Sequence, residues 1–281
     1  MNIDYAIKEA YLHLKDKNIK SALLDSEILM SKVLKEDRSS MLLNSERLLN
    51  INDYNNFRKL ISNRLKYKPI AYLIGKKSFW KYEFDVNDKV LIPRPDTELI
   101  IEQVLKIFKN KRRVNFLEIG VGSGCIILSI LSEKKSFFGT GIDLSKDSIK
   151  ISKKNALKLK VHNRLKLFKT DIDNFNLGKY DLIISNPPYI KNLDLNKLNR
   201  DIIDYEPKEA LDGGLDGLSK IRKIVKKSSE LIKFNGKLIL EIAHDQKKMV
   251  KKILINNGFF VNKVVKDLGN KDRCIISTKV K

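Results

Sequence analysis

The segment best suited to chemistry is the tetrapeptide at 186–189, which reads Asn-Pro-Pro-Tyr and follows an apolar run. Pro187 and Pro188 make a rigid loop that lacks backbone donors but keeps its carbonyls. The Asn186 side-chain oxygen and the Pro187 carbonyl can accept both N–H groups of a planar amide or amino group, while Tyr189 stacks on its face. Because the lone pair of such a nitrogen is delocalised, orienting it toward an electrophile is the main task, and no strong base is required. We therefore predict Asn186, Pro187 and Tyr189 as catalytic and all four residues as substrate-binding; a plain proline turn is the alternative.

A glycine-rich stretch at 118–124 runs from a predicted strand directly into an apolar helix. Glycines let the backbone turn tightly and leave room for a ligand. The dinucleotide fingerprint G-x-G-x-x-G is not met, because Cys125 stands where its last Gly or Ala should be. The spacing resembles motif I of the Rossmann-like S-adenosylmethionine methyltransferases, although a turn without a ligand is the alternative. The resemblance implies cofactor contacts from Glu118, Gly120, Val121, Gly122, Ser123 and Gly124, and also from Asn186.

Acidic residues follow the next two predicted strands. Asp143 lies 19 residues after Gly124, where a carboxylate can accept hydrogen bonds from both hydroxyls of a ribose. A helix N-cap is the alternative role for Asp143. Asp171 and Ile172 follow the third strand, where the resemblance implies contacts with the exocyclic amine and the ring of adenine. A turn-forming Asp is an equally open interpretation of Asp171.

The elements that must hold these loops alternate between apolar strands and amphipathic helices from about residue 93 onward, which predicts an α/β parallel sheet. Strands are predicted at 114–119, 137–142, 165–170, 180–185, 237–242, 259–265 and 273–278, the last reversed and at an edge. Helices are predicted at 126–131, 146–159, 218–232 and 246–256. Six parallel strands and one reversed strand favour a Rossmann-like seven-stranded sheet that binds its ligand at the switch point.

The residues before this sheet predict a smaller, separate unit. Apolar positions recur at helical spacing within 3–14, 23–34 and 54–65. Pro69 stops the third helix, which gives a small helical bundle. Two alternating runs around a turn at 87–88 predict a β-hairpin. We therefore predict an N-terminal helical bundle at 1–75, a hairpin connector at 76–92 and a methyltransferase domain at 93–281.

Composition favours a soluble protein without a metal centre. The chain has 281 residues, of which 42% are hydrophobic and 32% charged, enough for a core and a hydrated surface. No apolar run approaches the roughly 20 residues of a membrane span, and the first residues lack a signal-peptide pattern, so we expect a cytoplasmic protein. Cys125 and Cys274 are expected in the core, and neither has the spacing of a metal ligand.

The net charge of +22 raises the question of nucleic-acid binding. Only 11 of the 56 basic residues are Arg, the residue that bidentate phosphate and base recognition prefers. The abundance of Lys, Ile and Asn instead indicates codon usage in an AT-rich genome. The charge allows a nucleic-acid contact without requiring one.

Residues that flank the motifs extend the resemblance to one family. They occupy 92–98, 206–218, 240–242 with Gln246, 267–269 with Arg273, and, upstream, Pro69, Tyr72, Leu73, Gly75 and Phe79. Together with 186–189 they make the chain resemble the peptide chain release factor N5-glutamine methyltransferases, the PrmC/HemK family, over nearly its whole length. Glu118, where Asp is frequent, and Ile172, where some members have Trp, depart from the pattern.

The resemblance implies methyl transfer from S-adenosylmethionine to the side-chain nitrogen of the glutamine in the Gly-Gly-Gln motif of class I release factors. It also implies that the helical bundle grips the release factor, while the hairpin and Phe79 help to wall the glutamine pocket. From the residues alone, Phe79 and Trp80 would be ordinary buried aromatics. An N6-adenine methyltransferase on DNA or RNA is the first alternative, but no target-recognition domain is visible. A non-catalytic cofactor-binding or ribosome-associated module is the second, and the intact Asn186 and Tyr189 argue against it. We expect a monomer.

Overall fold

The computed structural model describes all 281 residues, and its elements fall into two units. The first unit comprises residues 1–76 and 199–205, and the second comprises 77–198 and 206–281. The α-helices are α1 Ile3–Asp16, α2 Ala22–Leu34, α3 Arg38–Leu43, α4 Ile51–Leu65, α5 Ile70–Ile74, α6 Glu98–Ile107, α7 Cys125–Glu133, α8 Lys146–Lys158, α9 Asn192–Leu195, α10 Arg200–Ile203, α11 Ser219–Leu231 and α12 Lys247–Asn256. The strands are β1 Lys76–Phe79, β2 Tyr82–Asp85, β3 Asn115–Ile119, β4 Phe138–Asp143, β5 Leu165–Lys169, β6 Tyr180–Ser185, β7 Ile232–Glu241, β8 Phe259–Lys266 and β9 Asp272–Lys279.

The first unit is a helical bundle, as the sequence predicts. Asn2 caps α1 by accepting a hydrogen bond from the backbone of Tyr5, and Asn50 caps α4 in the same way from Asp53. The apolar faces of α1, α2 and α4 enclose one core. α4 ends at Leu65, four residues before Pro69, and Pro69 is the N-cap of the short helix α5.

One ion pair is buried in this bundle. Asp25 on α2 and Arg64 on α4 are both buried, and Arg64 Nε donates to Asp25 Oδ2 at 2.6 Å. Ser21 Oγ also donates to this carboxylate, and an Arg64 Nη donates to the carbonyl of Lys68. A buried charge is tolerated because it is paired and hydrogen-bonded in this way. The pair therefore fixes how α2 and α4 pack.

A hairpin lies within the predicted connector at 76–92, but the prediction that its strands flank a turn at 87–88 is wrong. The two strands are β1 and β2, which pair around Trp80, and residues 89–92 form no strand. Trp80 takes a φ of +56°, and its backbone N–H donates to the Glu98 carboxylate at 2.7 Å, so a tertiary contact fixes the turn. The alternation at 89–92 instead reflects the burial of Val90 and Ile92 in a non-regular segment.

The second unit contains the predicted seven-stranded sheet, in the order β5-β4-β3-β6-β7-β9-β8. Neighbours from β5 to β7 are parallel, and β9 is antiparallel to both β7 and β8. Six parallel strands and one reversed strand are thus confirmed. The reversed strand is not at the edge, because β9 pairs back between β7 and β8.

The helices cover both faces of the sheet. Leu182 and Ile184 of β6 pack into a cluster with α6 and α7, whereas Ile183 packs with α11 and α12. This alternation is the period of a strand that is buried on both sides. The switch point lies where β3 pairs with β4 on one side and with β6 on the other. No helix in either unit combines the length and apolar character needed to cross a membrane.

Loss of one partner of the buried pair is expected to destabilise the helical bundle strongly. Asp25→Leu leaves Arg64 buried without a counter-charge, which costs about 3–5 kcal/mol of unfolding free energy. The double variant Asp25→Leu/Arg64→Leu should recover most of this loss. Glu36→Gln, which breaks the exposed pair with Arg47, is the control and should cost about 1 kcal/mol or less. Denaturant unfolding of the full chain measures these losses of unfolding free energy. A loss for Asp25→Leu no larger than that for Glu36→Gln would refute the prediction.

Candidate active site

The glycine-rich loop connects β3 to α7 at the switch point. Gly120, Gly122 and Gly124 all take positive φ, at +79°, +53° and +82°. A Cβ at Gly120 or Gly122 would meet no heavy atom within 4 Å, whereas one at Gly124 would come within 2.8 Å of Leu128. The first two glycines therefore keep space open beside the loop. The third permits close packing against α7.

A cavity of about 770 Å³ opens at the carboxyl ends of β3, β4, β5 and β6. Most of the residues selected from the sequence line it: Glu118, Gly120, Val121, Gly122, Ser123, Asp143, Asp171, Ile172, Asn186, Pro187 and Pro188. Gly124 and Tyr189 are not among the lining residues, although each is adjacent in sequence to one that is. The structure therefore brings the glycine loop, the acidic strand ends and the proline loop to one cavity.

Glu118 and Asp143 are two carboxylates of this cavity whose ionised forms are disfavoured by burial. Glu118 is only 1% exposed, and its Oε2 accepts from the Ile127 backbone N–H at 2.9 Å. Burial, reinforced by the nearby charge of Asp143, raises the pKa of Glu118 well above its usual range. Asp143 accepts from the backbone N–H groups of Gly122 and Ser145, and burial still raises its pKa. A cationic or hydroxyl-bearing ligand in the cavity would offset this cost.

Two other lining residues keep unused hydrogen-bonding capacity. Ser123 is buried, and its Oγ has no nitrogen or oxygen partner within the chain. Asp171 accepts from the backbone N–H of Asp173 at 2.8 Å through one oxygen, as a turn-capping Asp does, so that alternative role is present. A polar ligand in the cavity could bond the second carboxylate oxygen of Asp171, whereas Ser123 Oγ is buried away from the accessible surface.

Asn186 follows β6, and its side chain is held by one hydrogen bond. Its Nδ2 donates to Thr97 Oγ1 at 3.1 Å, and no group within the chain bonds to its Oδ1. Ser185 Oγ donates to the Ile119 carbonyl at 2.7 Å, which ties the ends of β6 and β3 together. Gln246 Nε2 donates to the Tyr189 carbonyl at 3.0 Å, which holds the far end of the proline loop.

Thr97 and Glu241 belong to the site, although sequence reasoning gave them no role. Glu241, at the end of β7, accepts from Thr97 Oγ1 at 2.6 Å and from the Tyr189 hydroxyl at 3.1 Å. Burial raises the pKa of Glu241, and burial together with the Glu241 charge raises the pKa of the Tyr189 hydroxyl. The only sequence signal was that both residues lie in segments that carry the family resemblance.

Phe79 does not take the position that the resemblance implied. It is 2% exposed, packs edge-on against Phe84 with ring centroids 6.1 Å apart, and does not line the cavity. It ends β1, where its side chain joins the core that α6 and α7 also enclose. The structure therefore makes Phe79 a core residue and not a wall of the pocket.

Comparison with known proteins agrees with both units. Residues 5–75 match the PrmC N-terminal domain, and residues 96–215 match the methyltransferase small domain. The release factor glutamine methyltransferase of Fusobacterium nucleatum is 37% identical and covers 95% of this chain and 76% of its own length. That of Clostridium acetobutylicum is 36% identical and covers 99% of each chain.

A solved structure of another protein agrees with the fold and bears on the fold only. A methyltransferase from Pyrococcus furiosus superposes with a TM-score of 0.55 at 18% identity, over 78% of this chain and 98% of that one. Identity over nearly the full length of the bacterial relatives carries the stronger conclusion. The chain belongs to the release factor glutamine methyltransferase family and is an S-adenosylmethionine-dependent methyltransferase.

Proposed function

We propose that this enzyme methylates the side-chain amide nitrogen of the glutamine in the Gly-Gly-Gln motif of class I peptide chain release factors. The observation that carries the proposal is the free Oδ1 of Asn186 in the same cavity as the glycine loop. The relatives named for release factor glutamine methylation support the choice of substrate. The helical bundle at 1–75 is proposed to bind the release factor, and the enzyme to act as a monomer.

The residues around the cavity suit S-adenosylmethionine in charge and in shape. Glu118 and the open faces of Gly120 and Gly122 are proposed to hold its methionine part, because a buried carboxylate favours the amino group. Asp143 is proposed to accept from the ribose hydroxyls, and Asp171 and Ile172 to contact adenine. Once bound, this cofactor supplies a methyl group on a sulfonium cation.

The proline loop is proposed to bind and orient the amide. Asn186 Oδ1 and the Pro187 carbonyl would each accept one N–H of the substrate, which aims the nitrogen lone pair and strengthens as positive charge develops there. Pro187 and Pro188 carry no N–H, so these two positions offer no backbone donor that would compete. The Tyr189 hydroxyl is committed to Glu241, and Tyr189 adjoins the cavity-lining Pro188, so its proposed contact with the flat group is made by its ring. Water can take the released proton, because the amide nitrogen is cationic and strongly acidic after it gains the methyl group and before it loses a proton.

The glycine loop is tested by a pair of matched substitutions. Gly120→Ala and Gly75→Ala both place a methyl group at φ +79° with open space beyond it, so both should cost about 1 kcal/mol of stability. Only Gly120 lines the cavity. Calorimetric titration should show a cofactor Kd raised about tenfold or more for Gly120→Ala, which is about 1.4 kcal/mol, and unchanged for Gly75→Ala. Equal affinities in the two variants would contradict the proposed cofactor contact.

The substrate is tested by transfer of labelled methyl groups from S-adenosylmethionine. An unmodified class I release factor, the same factor with its Gly-Gly-Gln glutamine replaced, and duplex DNA are offered in parallel. We expect label on the intact release factor alone, reduced about 100-fold or more by Asn186→Ala, because the acceptor for one substrate N–H is lost. Label on DNA would replace the proposal with adenine methylation. Label on the release factor after replacement of its glutamine would move the site of methylation elsewhere.

A further inference from the structure

Three side chains from separate segments of the second unit form one hydrogen-bonded row. Asn186 Nδ2 donates to Thr97 Oγ1 at 3.1 Å, and Thr97 Oγ1 donates to Glu241 Oε2 at 2.6 Å. Thr97 and Glu241 are each 2% exposed, and of the three residues Thr97 and Asn186 line the cavity while Glu241 does not. The row therefore runs from a buried carboxylate to a side chain at the substrate-facing surface.

The single hydroxyl proton of Thr97 gives this row a direction. An ionised carboxylate only accepts, so the Thr97 proton points to Glu241 and the Thr97 oxygen is left to accept. Asn186 must then present its NH₂ group to Thr97, which leaves Oδ1 on the cavity side. The reversed amide would set its oxygen against the Thr97 oxygen, with no proton between the two atoms.

Other groups around Glu241 support the same arrangement. The Tyr189 hydroxyl donates to its second oxygen at 3.1 Å, so each carboxylate oxygen accepts one bond. Arg273, which pairs with Asp267 and Asp96, adds positive charge that favours the ionised carboxylate and acts against the effect of burial. The hydroxyls of Thr97 and Tyr189 and the charge of Arg273 therefore all favour an ionised Glu241, which accepts the hydrogen bond from Thr97.

We propose that Thr97 and Glu241 are positioning residues that fix the amide of Asn186 with its oxygen toward the substrate. The inference rests on the proposed function, because it assigns the free Oδ1 as the acceptor for a substrate N–H. A reversed Asn186 would present two donors to a substrate amide that also presents donors. The row thus determines whether Asn186 attracts or repels the substrate.

Substitution of Thr97 separates this role from a general role in folding. Thr97→Val removes the hydroxyl at nearly constant shape, and Thr97→Ser retains it. Thr278→Val is the matched control, because Thr278 is also buried, donates to Asn262 Oδ1 at 2.6 Å and accepts from Lys237 Nζ at 2.5 Å, but does not line the cavity. Thr97→Val and Thr278→Val should lose similar amounts of thermal stability.

Their effects on methyl transfer should differ. We expect Thr97→Val to lower kcat for the release factor about 100-fold with the cofactor Kd unchanged, because a misplaced orienting group costs about that factor. Thr97→Ser and Thr278→Val should keep kcat within about threefold of the parent enzyme, which is about 0.65 kcal/mol. Glu241→Leu should lower kcat as Thr97→Val does, since it frees the Thr97 proton to point at Asn186.

A spectroscopic measurement makes the outcome independent of the substrate. In protein labelled with ¹⁵N at asparagine, the side-chain signals of Asn186 are assigned by their absence from Asn186→Ala. Thr97→Val should move these signals toward those of a free amide, while Thr97→Ser and Thr278→Val leave them in place. Unmoved Asn186 signals in Thr97→Val, or a kcat no lower than that of Thr278→Val, would overturn the inference. If the parent enzyme methylates no release factor, the proposed function fails, and the Asn186 signals alone decide whether Thr97 orients this amide.

Discussion

The parallel pairing of β3 with β6 is the constraint on which the site depends. Ile119 lies opposite Ser185 in this pair, and the Ser185 hydroxyl bonds to the Ile119 carbonyl at 2.7 Å. Both strands therefore end at the same level, so that the glycine loop and the proline loop leave the sheet side by side. β4 and β6 lie on opposite sides of β3 in the sheet, and the cavity lies among the loops that follow these strands. A shift in register between β3 and β6 would separate the glycine loop from the proline loop.

The cavity gathers negatively charged side chains in a protein whose net charge is positive. A chain with a net charge of +22 places Glu118, Asp143 and Glu241 in or beside one cavity, and burial raises the pKa of all three. Burying a carboxylate is costly unless donors or cations satisfy it. Backbone N–H groups, Thr97 and Tyr189 supply part of that compensation. Such uncompensated cost is typical of a functional site, because a bound ligand supplies the remainder.

Local sequence patterns predicted the elements whose bounds depend on neighbouring residues. They did not predict features that depend on contacts with residues far away in the sequence. The bounds of β6 follow from its apolar run, and most helix ends differ from the predicted ones by one or two residues. The hairpin turn at Trp80 depends on Glu98, which no pattern of alternation contains. β9 could be predicted as reversed but not as a neighbour of β7, since strand order is a property of pairing. β7 begins five residues before its predicted start because its pairing with β6 continues across an irregular register near Asn235.

The candidate site divides in the same way. Sequence spacing located Asn186 and the glycine loop because their chemistry lies in consecutive residues, whereas Thr97 and Glu241 are 144 positions apart and meet only in the fold. An acceptor pair on a proline loop suits an amide and an aromatic amine equally, since both present two N–H groups on a planar nitrogen. Discrimination between such substrates must therefore come from the surfaces that receive the rest of the molecule. Asn186 cannot supply it, because it would contact only the N–H group that the two kinds of substrate share.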